Sequence, residues 1–187
     1  MRTRAVVIVA VVGLVLLLLG ACNAFPFSAL NPAGKSSAGS TRPTVVKIGD
    51  TAPEIDLKSV TGDSITVSNL VGRPLLVNFW ATWCGPCRQE FPALARKYNQ
   101  YKDQGFVVLG VNTEDDNTDQ GVLTFMRNTN VNFPIVRDLD YRVEGMYRVN
   151  GLPTSFFIDR KGIVRDIVVG GPMTDDFLDK QWTLINQ

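Results

Sequence analysis

The chain opens with two basic positions, Arg2 and Arg4, then fifteen residues, Ala5 to Leu19, without a polar side chain, then Gly20, Ala21 and Cys22. A basic end, an apolar run and small residues before a cleavage point are the layout of a secretory signal. The run is shorter than the roughly 20 residues that cross a hydrocarbon core, although residues 20–27 extend it enough for a tilted anchor. From Asn23 to Pro43 the apolar period disappears and Pro, Gly, Ser, Ala and Thr dominate. That composition predicts a flexible linker with an r.m.s. reach of roughly 25 Å. The expected divisions are a signal over 1–22, a linker over 23–43 and one globular domain over 44–187.

From Val45 onward, strand-like and helix-like patterns alternate. Ile55 and Leu57, then Ile65 and Val67, flank Thr61-Gly62-Asp63 and predict a hairpin. Pro74 to Ala81 holds Leu75-Leu76-Val77 with Phe79 and Trp80, the length of a strand buried on both faces. Over 84–101, Phe91, Leu94, Ala95, Tyr98 and Tyr101 recur at three- and four-residue spacing, one stripe of a helix in which Pro92 predicts a kink. Phe106 to Val111 reads as a second buried strand, and Gln120 to Asn128 as a helix with Val122, Leu123, Phe125 and Met126 inward. Phe133 to Val136 is a short strand and Arg142 to Tyr147 a helix. Thr154 to Asp159 and Ile163 to Val169 flank Arg160-Lys161-Gly162 as a second hairpin. Asp175 to Ile185, with Phe177, Leu178 and Trp182 on one stripe, closes the chain. This order predicts an α/β fold with a mixed sheet and helices on both faces.

Composition narrows the chemistry. At 187 residues the chain holds one domain of ordinary size, and 45% hydrophobic against 20% charged residues is a globular balance. Histidine is absent, which removes Ser-His-Asp and Cys-His catalysis together with His-ligated zinc and haem. Of the 19 basic residues four lie within residues 1–43, where there is no acid, so the remainder carries 15 basic against 18 acidic groups. A mildly acidic domain is no surface for nucleic acid, which demands clustered Lys and Arg.

With Cys22 in the signal, the domain keeps one pair, Cys84 and Cys87, in Trp83-Cys84-Gly85-Pro86-Cys87. Zinc needs four ligands and two are missing, so no metal is expected. A structural bridge closing so short a loop gains little, which leaves redox chemistry. Cys84 follows a buried strand and stands at the first turn of a helix, where free N–H groups and the helix dipole favour a thiolate, so it is the attacking sulfur. Cys87, one turn further in, is better shielded and is placed to resolve a mixed disulfide at Cys84. Pro86 suits a first-turn position, and Gly85 permits close approach of another chain.

The stretch VNFWATWCGPCRQEFP resembles the thioredoxin superfamily. With GDTAPEIDL upstream and GVNTEDD, VNFPIVRD and GLPTSFFIDRKGIV downstream, the chain is similar to its extracytoplasmic TlpA/ResA-type thiol-disulfide oxidoreductases from about Lys47 to Trp182. The resemblance implies a thioredoxin fold with an N-terminal β-hairpin and an insertion after the central βαβ, at about Thr113 to Asp140. It implies a cis-proline loop at Leu152-Pro153-Thr154 that faces the cysteines and offers backbone groups to an extended substrate. Plain thioredoxins carry a buried acid where this chain has Asn78, so the proton of Cys87 must go elsewhere. Likeness to ResA-type members points to Asp115, with Glu114 as the alternative, and to a carboxyl raised by burial. Trp83 is expected to cover Cys84 and shape the substrate face. Leu19-Gly20-Ala21-Cys22 resembles the lipobox of bacterial lipoproteins, making Cys22 a lipidation candidate; an uncleaved signal-anchor and full release are the alternatives.

The expectation is therefore a protein-disulfide reductase anchored to the bacterial cell membrane, outside the cytoplasm, with no cofactor. Its partners are disulfide-containing protein substrates and a membrane thiol-electron donor, since soluble thiol reductants are scarce there. Resemblance alone adds the oxidised haem-attachment cysteine pair of apocytochrome c. The competing readings are a disulfide-forming oxidase or isomerase of the same fold, a peroxiredoxin and a non-catalytic binding lipoprotein. The peroxiredoxin reading, suggested by GDTAPEIDL, requires Pro-x-x-x-Thr/Ser-x-x-Cys, where this chain has Val77 and Ala81.

Overall fold

Six consecutive residues, Leu75–Trp80, form β3, and all six are buried. Their side chains alternate between two apolar clusters: Leu76 and Trp80 lie with Phe91, Leu94 and Phe133, whereas Leu75, Val77 and Phe79 lie with Leu109, Tyr147 and Phe156. A strand clothed on both faces has no polar side to alternate with, hence the near-continuous apolar run. The computed structural model describes residues 45–187. The expected signal, the whole expected linker and Cys22 lie outside the described residues.

A five-stranded mixed sheet surrounds β3, in the order β5–β4–β3–β6–β7. β4 (Val107–Asn112) and β5 (Ile135–Arg137) run parallel to β3, while β6 (Thr154–Ile158) and β7 (Val164–Val169) complete the antiparallel side. On one face lie α1 (Gly85–Tyr101), α2 (Asp119–Asn128) and α4 (Asp175–Ile185), which contribute Phe91, Val122 and Trp182 to a shared cluster. On the other, α3 (Arg142–Tyr147) inserts Val143 and Tyr147 beside Ala52 and Ile55. This is the expected thioredoxin architecture. Burying each large apolar side chain contributes about 2 kcal/mol, so Leu76→Ala at the sheet centre should cost about 3 kcal/mol.

The N-terminal hairpin forms as a separate two-stranded sheet, β1 (Asp56–Lys58) with β2 (Ser64–Thr66). It also covers the β5 edge: Val60 donates its N–H to the Ile135 carbonyl at 3.0 Å, and Ser59 bridges to Val136. An exposed parallel edge strand is thereby paired. Residues 113–140 supply α2 and β5, the insertion after the central βαβ. The short strand begins at Ile135, two residues later than the apolar pattern predicts, because Pro134 has no N–H to give a ladder. α1 runs on through Pro92 over 17 residues. On β4, between the two clusters, a Cβ on Gly110 would overlap Ile135 Cδ1 and lie 3.1 Å from Trp80 Nε1 and 3.3 Å from Phe133, so only a bare backbone fits.

Candidate active site

β3 delivers the chain to the N-terminus of α1, where Cys84 is the N-cap with extended backbone and Gly85 and Pro86 take the first two helical positions. Cys84 and Cys87 form a disulfide, with Cα atoms 5.3 Å apart, so the structure shows the oxidised state of the pair. The backbone N–H of Cys87 donates to Cys84 Sγ at 3.2 Å. An N–H aimed at that sulfur at a helix N-terminus stabilises negative charge there once the bond is reduced. Gly85 and Pro86 are exposed, whereas Cys87 is fully buried and Cys84 is 3% exposed.

The 152–154 segment lies at the same end of the sheet, because β6 runs antiparallel to β3 and its first residue, Thr154, pairs with Phe79 near the end of β3. Leu152–Pro153 is a cis peptide. The Pro153 carbonyl accepts from Gly170 N–H at 2.8 Å, Thr154 Oγ1 donates to Gly151 O at 2.7 Å, and Leu152 packs on the cluster that contains both cysteines. Trp83 is 61% exposed, and its Nε1 donates to the Glu114 carbonyl at 2.6 Å. An exposed indole fixed at one edge is a ready apolar contact for another chain.

Sequence reasoning passed over Glu90. It stands three residues after Cys87 on α1, on the same face, and is fully buried. Asn78 Nδ2 donates to Glu90 Oε1 at 2.9 Å and to Ser155 Oγ at 2.9 Å, while Glu90 Oε2 has no hydrogen-bond partner among the described residues. Burial pushes its carboxyl up to about 7; the Asn78 amide and, more weakly, the Met173 N–H pull against it without offsetting the lost hydration. The signal was in the helical period, since Cys87 and Glu90 stand four residues before Phe91 and Leu94 of the buried stripe. It was masked because an acid beside Gln89 and Arg88 reads as a solvated surface charge.

Asp115 is also buried, but its surroundings are the reverse. Thr82 donates to it through its N–H at 2.6 Å and its Oγ1 at 3.0 Å, Asn112 through Nδ2 at 3.0 Å, and Asn117 through its N–H at 3.1 Å. Burial acts to raise this carboxyl, but the four donors together hold it below the usual range. The rise expected for Asp115 is therefore corrected. Glu114 is exposed, with φ of 50°, and presents its backbone carbonyl to Trp83. Asn78, on β3, is the amide that holds Glu90 and Ser155 together. Among the described residues no group of three His, Cys, Asp or Glu side chains could hold a metal.

Comparison with known proteins places this geometry. The AhpC/TSA family model matches residues 48–167. The thiol-disulfide oxidoreductase ResA of Bacillus subtilis (strain 168) is 39% identical over 137 residues, 73% of this chain and 75% of the relative. The thioredoxin-like protein YneN of the same organism is 35% identical over 125 residues, 67% of this chain and 73% of the relative. A solved Chlorobium tepidum protein, assigned as the thiol:disulfide interchange protein DsbE, superposes with a TM-score of 0.67 at 35% identity, covering 74% of this chain and 96% of that one.

Proposed function

The chain belongs to the AhpC/TSA family, in its thioredoxin-like branch of ResA and DsbE type, and is a thiol-disulfide oxidoreductase; from that premise we propose that it reduces protein disulfides outside the cytoplasm, tethered to the bacterial cell membrane. The observation that carries the mechanism is the Cys84–Cys87 disulfide at the N-terminus of α1. In the reduced enzyme Cys84 thiolate attacks one sulfur of a substrate disulfide, forming a mixed disulfide and expelling the other substrate sulfur as a thiolate. Cys87 then loses its proton and attacks Cys84 Sγ, which releases the second substrate thiol and closes the bond present here. Two electrons pass to the substrate, and a membrane thiol-electron donor restores them.

Glu90 is our choice for the base that accepts the Cys87 proton, in place of Asp115 or Glu114. A carboxyl near 7 with a free oxygen can take a proton at neutral pH, whereas one held ionised by four donors is a poor acceptor. Leu152, Pro153 and Thr154 form the edge on which an extended substrate lies, flanked by Trp83, Gly85 and Pro86. Cys22 carries the lipid anchor at the end of the signal, and residues 23–43 are the tether. By resemblance, the substrate is the oxidised haem-attachment cysteine pair of an apocytochrome c.

The reducing direction follows from Gly85-Pro86 between the cysteines and the absence of a histidine beside Cys87 to stabilise the reduced form. A glutathione titration should give a potential nearer the thioredoxin value of about −270 mV than the DsbA value of about −120 mV. A reading above about −180 mV would transfer the assignment to an oxidase or isomerase. The tether is checked by Cys22→Ser, which should abolish fatty-acid labelling in a bacterial host. Membrane association with an unprocessed N-terminus in both forms would support the signal-anchor instead.

A further inference from the structure

The segment Gly170-Gly171-Pro172-Met173 packs over the chamber that holds Glu90, and apart from the weak pull of the Met173 N–H on that carboxyl none of its residues has a part in the chemistry above. Gly171 is the point of closest approach. A Cβ there would stand 2.7 Å from Glu90 Oε2, 3.4 Å from Glu90 Cδ and 3.1 Å from Pro153 Cγ. Its φ lies outside the left-handed region, unlike that of Gly170 at 88°, so space and not backbone conformation demands glycine at 171.

Little else in the chamber can yield. Gly170 N–H is bonded to the Pro153 carbonyl at 2.8 Å, Met173 is buried in the cluster with Cys84 and Cys87, and the Pro153 ring can adjust only by its pucker. A methyl group at 171 would therefore displace the Glu90 carboxyl. We propose that Gly171 is a positioning residue for Glu90: its bare Cα leaves the volume in which the unpartnered Oε2 sits, so the carboxyl stays on the Cys87 face of α1 with one oxygen uncommitted. This rests on the reading of Glu90 as acceptor of the Cys87 proton. A displaced carboxyl forfeits its 2.9 Å bond from Asn78 while remaining buried, and both changes favour its protonated form.

The test follows the resolving step, measured as release of substrate from a preformed mixed disulfide at Cys84, between pH 5 and 9. In the wild-type protein the rate should rise with a midpoint set by Glu90, and Glu90→Gln should remove that limb. Gly171→Ala should move the midpoint up by about one unit and slow release about tenfold on the acid side of it, with the first attack by Cys84 changed less than about twofold. In the Glu90→Gln background Gly171→Ala should add no further pH dependence. If Glu90→Gln leaves the limb in place, the proton-acceptor reading fails and the inference with it. If Glu90→Gln removes the limb but Gly171→Ala leaves the midpoint unmoved, the acceptor stands and the positioning role is overturned. Should Gly171→Ala not fold, the Glu90→Ala/Gly171→Ala pair removes the overlap and should fold; an equally unfolded pair would overturn the proposal too.

Discussion

Asp115, bonded to Thr82 just ahead of the cysteine motif, and Glu90, one helical turn after Cys87, are two buried acids whose carboxyls are displaced in opposite directions. Asp115 lies in the loop after β4 and receives four hydrogen bonds from three residues, so its charge is more stable in the fold than its burial suggests. Glu90 sits on α1 against β3 and β6, with the Asn78 amide on Oε1, only a weak pull from the Met173 N–H and, among the described residues, no hydrogen bond on Oε2, and burial wins. Depth therefore does not decide whether a carboxyl is a structural fastener or a proton carrier; the count of donors turned toward it does. The charged form of Asp115 is the one its loop stabilises, whereas the Glu90 chamber tolerates both protonation states near neutrality.

The largest effect should come from the two sulfurs themselves. Cys84→Ser or Cys87→Ser should lower disulfide-reductase turnover at least ~10³-fold, since the relay loses a nucleophile. Only Cys87→Ser should accumulate mixed disulfide with substrate on a non-reducing gel; equal trapping by both would reverse the roles assigned to the two sulfurs.

Next comes the pH dependence of stability, where the two acids differ in sign. Glu90 has a folded value raised from 4.5 to about 7, so the unfolded chain binds fewer protons across that window and stability falls as pH rises through it. The full loss is on the order of 3 kcal/mol, complete above about pH 7, and Glu90→Gln should flatten it in urea titrations between pH 4 and 8. Asp115, with a lowered folded value, contributes stability that is present above the unfolded carboxylate value of 3.8 and is lost as pH falls through the folded one. A wild-type protein whose stability is level from pH 4.5 to 7 would remove the contrast.

Asp115→Asn should be the milder lesion. It turns an amide NH₂ toward donors and leaves at least one of the Thr82 or Asn117 groups unsatisfied, costing about 2 kcal/mol, while the neutral limb of the resolving step stays in place. Loss of that limb would hand the proton to Asp115 after all. Trp83→Ala should be smaller again: KM for a protein disulfide rises about threefold to tenfold with kcat within about twofold, because the indole contributes contact surface and leaves the sulfurs untouched. A fall in kcat with KM unchanged would place Trp83 in the chemistry instead.

Much of the fold was legible in the chain. The buried run through β3, the amphipathic stripes of the helices and both hairpins were readable from period and turn chemistry, because each depends on neighbours within a few residues. The reactive pair was equally legible, since Trp83-Cys84-Gly85-Pro86-Cys87 is local and the absence of histidine excludes its competitors. The proton acceptor was not. Counting along the chain led to Asp115 and Glu114, whereas the chamber that raises Glu90 is assembled from Asn78 on β3, Ser155 on β6, Pro153 before it and Gly171 after β7. By itself the sequence determined which atoms could exchange electrons and in what order of elements they are carried. Tertiary structure alone decided which carboxyl is dehydrated and left short of donors, because a pKa depends on every group packed around the acid, including those 65 and 81 positions away along the chain.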